Sequence, residues 1–220
     1  MVVIACETLK NELNLAMEQT GCEYPVIWIE SGLHESPDKL RAHLQAVIDN
    51  LEPGTALLAF GFCGNSMVGL KTPRARLILP RAADCMPLFL GSVEKREQMG
   101  NKTYFFTGGY LEAERNIVVE YGHYIERYDP ETAAWLLKEM LKHYERLAVI
   151  ITGAYEVSPV IQKIKPVAEL LELPLETVQG DMGFFCELLS GPWPEERYLT
   201  VEPGGSITLE NSLNVGFSQV

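Results

Sequence analysis

The stretch TALLAFGFCGNS, Thr55–Ser66, decides how the chain is read. Its apolar residues run together without polar ones between them, and the run stops at Cys63 and a Gly-Asn-Ser turn. A strand with one face in water alternates apolar and polar residues, whereas one covered on both faces need not. The stretch therefore predicts a strand buried between layers, with a cysteine at its end.

Similar runs recur on either side. VVIAC, PVIWIES, RLILP, TYFFTGG, LAVIITGA, PLETVQGD and RYLTVEPGG read as further strands bounded by Gly and Pro. Amphipathic stretches separate them. ETLKNELNLAMEQTG reads as a helix ending near Gly21. Ser36 and Pro37 mark a second start, with Leu40, Leu44, Val47, Ile48 and Leu51 on one face. Asp129-Pro130 opens another, with Ala134, Leu137, Met140 and Leu141 inward and Trp135 packed. Ser158-Pro159 begins a helix that Pro166 is expected to kink or shorten. GFFCELLSG is a short helix closed by Gly191.

Strands alternating with helices predict an α/β fold: a three-layer doubly wound sandwich with a mainly parallel sheet. The 220 residues suit a single domain over 1–220, with the tail from Asn211 unassigned.

A formal net charge of -12 disfavours nucleic acid and anionic membranes as partners. Arg74, Arg76 and Arg81 are the densest basic cluster and suit one small anionic ligand. The five cysteines are widely spaced, odd in number and without a CxxC pair, unlike a secreted disulfide framework. The N-terminus turns polar too soon for a signal peptide or membrane span, so a soluble cytoplasmic protein is expected.

Sites in open parallel sheets form beyond the carboxyl ends of the strands. Cys6, His34, Cys63, Arg81, Asp84 and Cys85 all follow predicted strands. Thiolates and a neutral imidazole suit tetrahedral zinc, so Cys63, Cys85 and His34 are candidate metal ligands, with Cys6 as a fourth. Asp84 is a candidate base or a partner that orients His34; its alternative is a turn cap before CMPLFLGS. A competing reading makes Cys63 a nucleophile with His34 as base, since GFCGN partly matches a strand-to-helix elbow, with Asn65 replacing the last glycine. Cysteines that are merely buried at strand ends are the plain alternative to both.

In order, IACETLKNEL, LHESPDKLRAHLQAVID, FGFCGNSMVGL, LPRAADCMPLFLGS, YFFTGGY and GDMGFFCELLSGPW resemble the bacterial and archaeal family catalogued as domain of unknown function 1638. The block from Pro80 to Ser92 is the most specific part. The resemblance implies a cytoplasmic protein associated with corrinoid-dependent methyl transfer, with a corrinoid protein or methyltransferase as partner. It places emphasis on Cys6, His34, Cys63, Arg81, Asp84 and Cys85. Two departures stand out: Gly64-Asn65-Ser66 after the cysteine, and Tyr110 where the pattern often has tryptophan. The combined expectation is a zinc-binding protein in one-carbon metabolism, with Arg81 holding an anionic group. The alternatives are a non-catalytic accessory protein that binds a corrinoid or a corrinoid protein, and a metal-free Cys/His enzyme.

Overall fold

A computed structural model describes residues 1–213, the side chain of Glu35 excepted. The eight predicted strands are all present: β1 Val2–Cys6, β2 Val26–Ile29, β3 Gly54–Ala59, β4 Ala75–Pro80, β5 Thr103–Phe106, β6 Arg146–Ile151, β7 Leu175–Gln179 and β8 Tyr198–Val201. The α/β class and the mainly parallel pairing are those the sequence predicts. The strands divide between two sheets. One has the order β2-β1-β3-β4-β8, parallel except for β8, and the other is β5-β6-β7, all parallel.

The division has a local cause. β8 pairs antiparallel along the outer edge of β4, from Leu77 opposite Val201 to Pro80 opposite Tyr198. With that edge taken, β5 cannot continue the first sheet.

Helices pack around these sheets: α1 Lys10–Thr20, α2 Pro37–Asp49, α3 Met86–Leu90, α4 Val93–Gln98, α5 Gly108–Glu112, α6 Ile117–Arg127, α7 Pro130–Met140, α8 Val157–Leu171, α9 Gly183–Ser190 and α10 Leu209–Leu213. Ser36 caps α2 by accepting from Lys39 N–H, and Asp129 caps α7 through Glu131 and Thr132. The remainder of the unassigned tail, 214–220, lies outside the described residues.

Val3–Cys6 and Ala56–Ala59 are buried at consecutive positions, as strands covered on both faces must be. They meet Leu40, Leu44 and Ile48 of α2, Leu13 and Ala16 of α1, and Phe184, Phe185 and Leu188 of α9 in one core. Fully burying each such side chain is worth about 1.5–3 kcal/mol. Alternation along β6 ties the second sheet to the first. Leu147 and Val149 lie in a separate core with α6, α7 and α8, whereas Ile150 lies in the first core, with Phe105 and Val178 packed against it.

Two helical expectations are corrected. α7 buries Ala133 and Leu137, while Trp135 is 60% exposed and Met140 44%. Positions 133, 137 and 141 form the inner row at four-residue spacing, which turns Trp135 to the opposite side. The shortening expected at Pro166 does not occur, since α8 runs from Val157 to Leu171 with Pro166 inside it.

Glu12 is a polar residue where the helix pattern calls for an apolar one. It lies on the inner face of α1 and is fully buried. Its Oε1 accepts a 2.8 Å bond from Thr152 Oγ after β6, and Oε2 has no partner among the described residues. Burial, reinforced by the charge of Glu112, pushes its pKa up to about 7; the Thr152 bond opposes this. Its carboxylate also raises the nearby Tyr155 hydroxyl, after burial itself.

The native state thus holds this proton more tightly than the unfolded chain. Its stabilising contribution is full below about pH 4.5 and declines as pH rises through about 7. Glu12→Gln mimics the protonated form. Urea unfolding at pH 5 and pH 8 is expected to show the variant losing about 3 kcal/mol less than the parent over that interval. Equal losses would remove the buried charge from the account.

Candidate thiol site

The strand order 2-1-3-4 reverses between β1 and β3, the switch point at which open parallel sheets leave a crevice beyond their carboxyl ends. Cys6 ends β1, and Cys63 lies just past β3. The chain beyond β3 keeps company with the chain beyond β4: Phe62 N–H donates to Ala82 O at 2.7 Å and Cys63 N–H to Ala83 O at 2.9 Å. This pairing carries Cys63 to Cys85, with 3.6 Å between the sulfurs.

The approach requires Gly61. A Cβ there would sit 2.3 Å from the carbonyl oxygen of Asp84, so any side chain would drive the two segments apart. Gly61 N–H also points at Cys85 Sγ at 3.4 Å. The turn after it is held on several sides. Cys63, Gly64 and Asn65 all take left-handed φ values, 43°, 67° and 66°. A non-glycine residue there costs of order 1 kcal/mol, and local bonds hold it in place. Ser66 Oγ donates to Cys63 O, Arg41 donates to Asn65 O, and Ser212 Oγ donates to Asn65 Oδ1. The left-handed residue of an elbow is therefore present, but turns rather than a regular helix follow it.

The two thiols differ. The contact with Cys63, and then the Gly61 N–H, lower the Cys85 pKa against the opposing effect of burial. The same contact, with burial and the Cys85 charge, raises that of Cys63. Of the pair, Cys85 is the thiol whose ionisation is favoured and Cys63 the one whose ionisation is disfavoured. Burial, then the charge of Cys85, push Cys6 up to about 11, and its sulfur lies 3.2 Å from Thr8 Oγ.

The other predicted residues follow the neighbouring strands β2 and β4. His34 lies in the 3-10 turn Ser31–Glu35 after β2, its ring stacked on Phe60 at 6.0 Å. Its Nε2 is buried with no partner among the described residues, and burial lowers its pKa, keeping it neutral. Asp84 Oδ1 accepts from Met86 N–H at 2.9 Å, and Oδ2 pairs with Arg96 at 3.2 Å, so its carboxylate fixes the turn that presents Cys85. Arg81 Nε donates to Glu195 O at 2.6 Å, and the residue lines a separate cleft of about 430 Å³ with Ser92 and Arg197. Cys63 and Cys85 are thus brought into contact, with Cys6 close enough for the charge of Cys85 to raise its pKa. Among the described residues, no three His, Cys, Asp or Glu side chains are gathered to hold a metal ion.

Sequence reasoning noted Gly61 only as part of the partial elbow, and passed over Thr8 and Glu12. The spacing of Leu9, Leu13 and Ala16 places Glu12 on the buried face, a signal that was there to be used.

An α/β protein with a cysteine pair at the carboxyl edge of a mainly parallel sheet is the class that fold and site define. The chain belongs to the family described as protein of unknown function (DUF1638), whose model matches residues 28–189. That span holds His34, Cys63, Arg81, Asp84 and Cys85, and leaves Cys6 outside. No curated protein and no solved structure matches the chain significantly.

Gly61→Ala is expected to cost about 1–3 kcal/mol by overpacking. It should also part Cys63 from Cys85, so that the alkylation rate of Cys85 at neutral pH falls towards that of Cys63. Thermal unfolding and peptide-resolved alkylation check both. An unchanged melting temperature with unchanged rates would contradict the close approach.

Proposed function

We propose that Cys63 and Cys85 form a two-thiol binding site for a soft metal ion, zinc foremost. The 3.6 Å between their sulfurs carries this reading. Two sulfurs bound to one tetrahedral zinc at about 2.3 Å lie about 3.8 Å apart, so the pair needs little movement to share an ion. Thiolates suit soft ions, and Cys85 is already disposed to lose its proton. His34, buried with Nε2 unpartnered among the described residues, is not gathered with the two sulfurs and would have to move to become a further ligand. Cys6 is the remaining thiol in electrostatic reach.

A site with two protein sulfurs leaves positions for an outside ligand, the condition for chemistry rather than structural support. When bound, the metal would supply Lewis acidity and keep thiols ionised. The chain's own groups prepare the site: Gly61 N–H orients Cys85, and Asp84 with Arg96 fixes the turn behind it. The reaction class we attach to it is group transfer to or from a thiol. As its setting we propose corrinoid-linked methyl transfer, with a corrinoid protein as partner.

A second reading has its own observation. Gly61 N–H and the Cys63 thiol both favour a charged Cys85, so in a metal-free enzyme Cys85, with Cys63 as donor, is the nucleophile.

Protein purified without a chelating tag is expected to carry about one zinc per chain. Cys63→Ser and Cys85→Ser should each weaken zinc binding by at least about tenfold. Metal-free protein whose zinc affinity is unchanged by both substitutions would end the metal reading. Alkylation selective for Cys85 in that protein would then favour the second.

A further inference from the structure

We propose that Cys63 and Cys85 are also a reversible oxidation site, closing to a disulfide when the protein meets a peroxide. The inference rests on the reading of this pair as the functional site, but not on its holding a metal.

Geometry selects the pair. The sulfurs are already in contact at 3.6 Å, though their residues are far apart in the chain. A disulfide has its sulfurs about 2.05 Å apart, so each must move by less than about 1 Å. Two other cysteine sulfurs are directed elsewhere: Cys6 meets Thr8 Oγ, and Cys186 meets Gln19 Oε1. Cys63 sits in a left-handed turn flanked by glycine, outside any helix or strand.

Geometry also gives the order of events. Cys85 Sγ accepts the Gly61 N–H, a donor that Cys63 Sγ lacks among the described residues, so Cys85 reacts first. Its thiol loses a proton, and the sulfur attacks one oxygen of hydrogen peroxide. The S–O bond forms as the O–O bond breaks, and the departing hydroxide takes up the proton to become water. Cys85 is then a sulfenic acid. Cys63 next gives up its proton and attacks the Cys85 sulfur. The S–S bond forms as the S–O bond breaks, and the second hydroxide leaves as water. Two thiols lose two electrons in all, and one peroxide becomes two waters.

The full chain, reduced and stripped of metal by a chelator, is treated with hydrogen peroxide and digested for mass spectrometry. A linked peptide joining Cys63 to Cys85, released by dithiothreitol, is expected. In Cys63→Ser, dimedone should trap a sulfenic acid on Cys85. In Cys85→Ser, Cys63 should oxidise at least about tenfold more slowly than Cys85 does in the parent chain. Disulfides that use Cys6, Cys22 or Cys186 instead, or independent oxidation of all five cysteines at similar rates, would overturn the proposal. Its failure is distinct from that of the metal reading. A chain that cross-links but binds no zinc refutes only the latter, and one that binds zinc but never cross-links refutes only the former.

Discussion

The structure turns on the contact between two short segments that leave the sheet together. Past the end of β3 the chain does not diverge from its neighbour. Phe62 and Cys63 donate to Ala82 and Ala83, and Gly61 lies against the backbone of Asp84. Backbone hydrogen bonds are worth about 0.5–1.5 kcal/mol each, and these two set the register by which Cys63 meets Cys85. A side chain on residue 61 would end the contact. The left-handed turn, the thiol pair and its unequal acidities all follow from this one close approach.

The second sheet serves that edge from behind. Gly109 at the start of α5 lies so close to Thr8 that a Cβ would sit 2.3 Å from its carbonyl oxygen. Thr8 in turn holds Cys6. Glu12, one helical turn further, bonds Thr152 at the end of β6. Asp181 N–H beyond β7 donates to Phe89 O in α3, the helix that Cys85 precedes. The carboxyl ends of the two sheets are therefore joined by backbone contacts and a buried carboxylate, on the side where the thiols sit. Glu12 makes that junction sensitive to pH near neutrality.

Much of this was legible in the sequence, for identifiable reasons. Unbroken apolar runs such as TALLAF and LAVII reflect burial on both faces, so strand positions and parallel pairing could be read. The carboxyl-end rule then placed Cys6, Cys63 and Cys85 on one edge without any contact being known. The division into two sheets was not legible, because it depends on β8 returning from far along the chain to occupy the edge of β4. The orientation of Trp135 was lost because a four-residue row and a general helical face differ by less than the pattern resolves. Arg81 and Asp84 lie in the right segment, but their side-chain directions depend on Glu195, Arg96 and Met86, contacts that spacing cannot give. Which thiol is the more acidic was likewise hidden, since it depends on the contact between the two sulfurs and then on the Gly61 N–H, neither of which spacing gives.

The central claim is that Cys63 and Cys85 act as one ligand pair. X-ray absorption at the zinc edge, on protein loaded with a single equivalent of zinc, tests it most directly. The account predicts at least two sulfur scatterers at about 2.3 Å, falling by one in Cys63→Ser and by one in Cys85→Ser. A shell of oxygen and nitrogen alone, or a sulfur count that neither substitution changes, would contradict it.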